Sequence, residues 1–184
     1  MSSQTIRRLA LVAMLGGAAY VLTGVAQLAS PEQTDTFSRA SDYLIQVLLS
    51  LSFLLTLAGF AALNLLLDAG GYRGPRGWTG FRAAALGQGA MLASAVASLP
   101  VGGLALGFLY DVGVFVLLVG LALLSVATYR TAILPHWSAY LVAALAMIVF
   151  GEIGVVLVGL VWIALGYVLW SQRGATTRQH SRLR

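Results

Sequence analysis

Long apolar blocks separated by short polar connectors make up almost all of this chain, and few folds are open to a chain built that way. A helix needs about 20 apolar residues to cross the hydrocarbon of a bilayer, with a range of roughly 17–25. Residues 6–28, 42–67, 81–99 and 104–129 each reach that length with few charges. A last block, 135–170, would be about 54 Å long as one helix, against a hydrocarbon core of about 30 Å. It is interrupted at Gly151-Glu152-Ile153-Gly154. That interruption predicts a non-helical hairpin turn between two shorter helices, 135–150 and 153–171. The sequence therefore reads as all-α: one polytopic transmembrane bundle of about six helices occupying residues 1–184.

Composition leads to the same place. The chain is 59% apolar and 9% charged, where soluble domains run to about 45–50% and roughly 25%. So few charges cannot clothe a water-soluble surface of this size, whereas a bilayer removes the need for them.

All eleven basic residues are Arg, and they set the expected orientation. Six helices with both termini inside place Arg7, Arg8, Arg73, Arg76, Arg82, Arg130, Arg173, Arg178, Arg182 and Arg184 on the cytoplasmic side. Only Arg39 falls outside, as the positive-inside rule expects. Tyr72, Trp78, Tyr129, Trp137, Tyr167 and Trp170 gather at the same proposed interface, like an aromatic belt. The first block could instead be a signal peptide, with Gly24-Val25-Ala26 as its cleavage site. Its apolar core is longer than the usual 7–15 residues, which favours a retained span.

Absences narrow the chemistry. Without Cys there is no disulfide, thiolate metal site or thiol catalysis, and without Lys there is no Schiff base. Two His, one of them His180 in the polar tail, do not make a bis-histidine haem site. The arginines end apolar stretches rather than filling a polar domain, so a nucleic-acid partner is not expected. No cofactor, catalytic residue or metal ligand is assigned.

In the outer connector, Ser30-Pro31-Glu32-Gln33 carries a helix-start signature and predicts a short surface helix. The inner connector 68–80 is Gly-rich but lacks the Lys of a phosphate-binding loop, and reads as a flexible cytoplasmic link. Small residues recur at helical spacing in Ala83 and Gly87, in Gly89, Ala93 and Ala97, and in Ala139 and Ala143. Such rows let helices pack closely in lipid; the alternative is an oligomer interface. Gly59-Phe60-Ala61-Ala62-Leu63, Gly120-Leu121-Ala122-Leu123-Leu124 and Gly159-Leu160-Val161-Trp162-Ile163 hint at three hairpins of common design.

A few polar residues are candidates for function. Gln46, Ser50, Asn64 and Asp68 lie within about 40° of one another on the second helix and should face inward. They offer either a binding path or hydrogen bonds between helices. Asp111 falls about 10 Å into a helix starting near Leu104, where a lone carboxylate costs about 2.5–3.5 kcal/mol. It is expected to face the bundle interior, with Arg39 or Tyr110 as partner. A later helix start, near Phe108, would make it an interfacial acid instead. Glu152 is either a dipole-favoured acid at a helix N-terminus or, with Asp111, Glu32, Asp35 and Asp42, part of an outer acidic vestibule. His136 reads as a helix cap or headgroup contact.

The run Arg130-Thr131-Ala132-Ile133-Leu134-Pro135-His136-Trp137, in a chain opening Arg7-Arg8-Leu9-Ala10-Leu11, resembles uncharacterised families of small six-helix integral membrane proteins from high-GC bacteria. The resemblance implies a multi-pass protein of the bacterial cytoplasmic (inner) membrane and brings no chemistry with it. Three roles stay open. The first is a non-catalytic protein that interacts with membrane lipids, a second copy or another membrane protein. The second is a small oligomeric transporter or channel using Asp111 and the second helix. The third is a lipid-active enzyme using outer carboxylates.

Overall fold

The computed structural model describes residues 3–30, 36–69, 75–103, 105–131 and 134–171. The predicted surface helix at 30–33, Glu32, Asp35, Tyr72, Arg73 and the C-terminal arginines lie wholly or largely outside the described residues. Six α-helices follow one another: α1 Ser3–Ala29, α2 Ala40–Ala69, α3 Pro75–Val101, α4 Gly107–Thr131, α5 Trp137–Ala144 and α6 Gly151–Ser171. Five of them, all but α5, are long and apolar enough to cross a membrane.

Boundaries moved for identifiable reasons. α3 begins at Pro75 rather than near residue 81, because proline is pre-set for a first helical position and has no N–H to lose there. At its other end α3 runs through Pro100 to Val101 and stops at Gly102, whose φ of 66° only glycine adopts cheaply. The Gly102 N–H then closes back on the Ser98 carbonyl at 3.1 Å.

The predicted helix over 135–150 needs correction. It is one short α-helix, α5, continued by a tighter 3-10 segment, Leu145–Phe150. Eight α residues and six 3-10 residues together span about 24 Å, short of the hydrocarbon core. The four-residue turn is corrected too. Gly151 alone makes the reversal, at φ 65° and ψ −145°, a region essentially reserved for glycine. Glu152, Ile153 and Gly154 already belong to the first turn of α6.

Each helix packs on its successor, and α6 closes the ring against α1. The most extensive contacts are α3 with α4, α1 with α6, and α1 with α2. Arg7, at the start of α1, lies over the Trp170 ring at the end of α6, 5.1 Å from its centroid. Those two helix ends therefore share one end of the bundle.

Glycine lets the helices meet so closely. Gly17 and Gly24 on α1, Gly159 and Gly166 on α6, Gly80 and Gly87 on α3, and Gly113 and Gly120 on α4 are each seven residues apart, two turns along one face. A Cβ on Gly17 would fall 2.7 Å from the Gly159 carbonyl oxygen, and one on Gly159 would fall 2.6 Å from that of Gly17. A Cβ on Gly113 would lie 2.8 Å from the Gly87 carbonyl oxygen. Backbone therefore meets backbone along both pairs, the contact that drives association where lipid offers no hydrophobic force between helices. Of the glycines that open the three similar segments, Gly120 and Gly159 lie at such crossings, whereas Gly59 makes room for the Trp162 ring and the Ala13 side chain.

The row Gly89, Ala93 and Ala97 does not pack in this way. A Cβ on Gly89 would meet nothing within 4 Å, and Ala93 is exposed. Ala143 is also exposed, although Ala139 is buried. Outward positions on the long helices are instead large and apolar: Leu11, Leu15, Leu22 and Val25 on α1, and Phe108, Phe115, Val119 and Val126 on α4. Phe115 is 69% exposed and Leu15 64%, an arrangement suited to acyl chains rather than water.

Candidate functional site

Among the described residues, three helices build a polar node in the interior of the bundle. Gln88 on α3 is 2% exposed. Its amide Nε2 donates to the Thr56 hydroxyl at 2.9 Å, and lies 3.2 Å from the Tyr20 hydroxyl and 3.4 Å from the Phe53 carbonyl oxygen. Thr56 accepts freely because its own proton goes to the Ser52 carbonyl at 2.7 Å. The Tyr20 ring meets Phe53 edge-on at 5.8 Å, and Phe53 in turn faces Tyr110 of α4 at 6.3 Å. Thr56 lies near the middle of α2, so this node sits at mid-depth. Water does not compete for hydrogen bonds there.

Sequence reasoning missed Gln88, Tyr20 and Thr56. A signal was present: Gln88 is the single side-chain amide within the apolar block 81–99.

The second-helix residues do face inward. Gln46, Ser50 and Asn64 are each at most 9% exposed, while Asp68, at the helix end, is exposed. Their bonds are structural: Gln46 donates to the Ala95 carbonyl of α3 at 2.9 Å, and Ser50 to the Gln46 carbonyl one turn back at 2.8 Å. Nearby, Ser94 donates to the Ala105 carbonyl at 3.0 Å, and Ser98 accepts from the Ala105 N–H at 3.0 Å. Both bonds pin the α3–α4 connection.

Asp111 does not face the interior. α4 starts at Gly107, later than the predicted 104, and Asp111 is exposed one turn in. At 1.5 Å per residue it stands about 28 Å along α4 from Arg130, close to the hydrocarbon thickness. Asp111 and Arg130 thus bracket one apolar stretch of α4. Glu152 is exposed in the first turn of α6, where the positive helix end favours an acid. Arg39 donates its backbone N–H to the Asp42 carboxylate at 2.9 Å, as Ser38 does at 3.0 Å. This local clasp starts α2. Gln46, Ser50 and Asn64 therefore lie on the interior face of α2, while Arg39, Asp68, Asp111 and Glu152 lie on exposed surfaces.

The Arg-rich end is crowded with rings. Arg82 lies 4.5 Å from the Trp78 ring centroid, Tyr167 lies near Trp170, and Trp78, Tyr129, Trp137 and Tyr167 are exposed. His136 occupies the N-cap position of α5 without a side-chain cap bond, its ring instead 5.0 Å from that of Tyr129. Among the described residues, no three His, Asp or Glu side chains gather as a metal-binding group.

Compared with known proteins, the chain matches no family profile, no curated protein and no solved structure.

Proposed function

We propose that this chain is a non-catalytic multi-pass protein of a bacterial cytoplasmic membrane, with both termini inside, that works through its lipid-facing and end surfaces. One observation carries the reading. The interior amides and hydroxyls of Gln88, Thr56, Gln46 and Ser50 are taken up by helix–helix and local hydrogen bonds, while the carboxylate of Asp111 is turned outward. Among the described residues, Gln27 Oε1 and the Thr128 hydroxyl are buried without a partner; the bonded groups serve to hold the helices in place. A transport path needs polar groups left available to a solute.

Reconstitution tests this directly. Proteoliposomes carrying the wild-type protein should pass protons, Na⁺ and K⁺ no faster than empty vesicles, followed with an internal pH dye and ion-selective electrodes. Asp111→Asn should insert normally and stay within about 0.5 kcal/mol of wild-type stability, as surface changes usually do. A flux above background that this substitution removes would refute the proposal.

Orientation has its own test, made simple because the chain has no cysteine. Single cysteines placed at Thr36 and at Thr176 should react with an impermeant maleimide from opposite sides, Thr36 from outside. Labelling of both from one side would remove the inside placement of both termini.

A further inference from the structure

A groove of about 430 Å³ runs between α4 and α5 at the Arg-rich end, lined by Ser125, Val126, Tyr129, Arg130, Ala139 and Tyr140. Resting on the lipid-associated reading above, we propose that it binds one anionic glycerophospholipid, with Arg130 and Tyr140 on the phosphate and one acyl chain along Val126.

The geometry gives each part of such a lipid a counterpart. Val126, Tyr129 and Tyr140 are all exposed, so the groove opens sideways toward acyl chains rather than into the bundle. Its wall is closed where the Ser125 hydroxyl donates to the Ala139 carbonyl at 2.9 Å, tying α4 to α5. Arg130, in the last turn of α4, stands at the end of that helix's apolar stretch, the depth of a lipid phosphate. Arg7 and Arg82 lie over tryptophan rings. Among the described residues Arg130 has no ring, carboxylate or carbonyl partner, and its planar fork suits two phosphate oxygens at once. The phenol hydroxyls of Tyr129 and Tyr140 add neutral donors, and the volume lies within the usual range for a ligand site. The negative end of α4 also favours Arg130 where it stands, but that effect does not require an open groove beside it.

Native mass spectrometry of the full chain in mild detergent tests the proposal, with phosphatidylglycerol and phosphatidylcholine titrated separately. Wild type should hold one phosphatidylglycerol in preference to phosphatidylcholine. Arg130→Gln should reduce that preference about tenfold, the scale of one charge-assisted contact. Arg130→Lys should fall between, keeping the charge but losing the fork, and Arg8→Gln and Arg82→Gln should leave the preference unchanged. Inorganic phosphate and glycerol 3-phosphate should not displace the lipid; displacement by either would point to a soluble phosphate as occupant and overturn the lipid assignment. Equal loss in Arg8→Gln would assign the preference to diffuse charge, and an unchanged Arg130→Gln would place the lipid elsewhere. Either result overturns the site while leaving lipid association intact, whereas ion flux in the proteoliposomes would overturn that reading whatever lipid is bound.

Discussion

Replacing Gly159 by Leu is expected to abolish the folded bundle. A Cβ there would fall 2.6 Å from the Gly17 carbonyl oxygen and 2.8 Å from the Val21 backbone nitrogen. Neither atom can swing aside as a flexible side chain would, so α6 would have to lift off α1. That cost exceeds the about 1–3 kcal/mol of an ordinary overpacked site, where side chains absorb the strain. The α1–α6 contact is also what closes the ring. In mild detergent the wild type should elute as one sharp species, and Gly159→Leu should aggregate or spread. Gly17→Leu should do the same from the facing side. Gly89→Ala is the control, since a Cβ there meets nothing. It should leave elution unchanged and raise stability by up to about 1 kcal/mol through helix propensity. Wild-type behaviour of Gly159→Leu would mean that these two helices do not pack backbone to backbone.

The second large effect is expected at Gln88. Gln88→Lys places a charge at mid-depth among Tyr20, Phe53 and Thr56, at a cost of about 2.5–3.5 kcal/mol on insertion scales. No acidic partner appears in any bond of the node. Gln88→Leu should cost less, about 1 kcal/mol, because cross-helix hydrogen bonds within membranes average only about 0.6 kcal/mol. Thermal unfolding in one detergent should rank the proteins as wild type, Gln88→Leu, then Gln88→Lys as least stable. If Lys were tolerated as well as Leu, the node would have to be wet, and the transport reading would regain its ground.

The polar residues were unevenly legible in the sequence. Gln46, Ser50 and Asn64 could be placed on one inward face from spacing alone, because a helix repeats every 3.6 residues and lipid tolerates no unpaired polar group. Gln88 does not share its face with Ser94 and Ser98, which lie farther along the same block, about 120° and 80° round the helix from it. Its partners come from α1 and α2, 68 and 32 residues away along the chain, and periodicity within one segment carries no information about them. Asp111 was open between two readings, an inward acid if α4 starts near Leu104 and an interfacial one if it starts near Phe108; α4 starts at Gly107 and Asp111 is exposed.

The apolar blocks by themselves determined that the chain is helical and built to cross a bilayer, since block length and charge content are local properties that the hydrocarbon thickness reads directly. The interruption at Gly151 was visible in the same way, because only glycine reverses a chain in a single residue at that backbone conformation. Which small residues are contacts was decided by the tertiary structure. Gly87 and Gly89 lie two residues apart in one apolar helix, yet Gly87 meets the backbone of Leu117 and Gly113 while Gly89 meets nothing. Two residues turn a helix through about 200°, so one glycine faces α4 when the other faces lipid. The neighbour a face receives depends on how all six helices close into a ring.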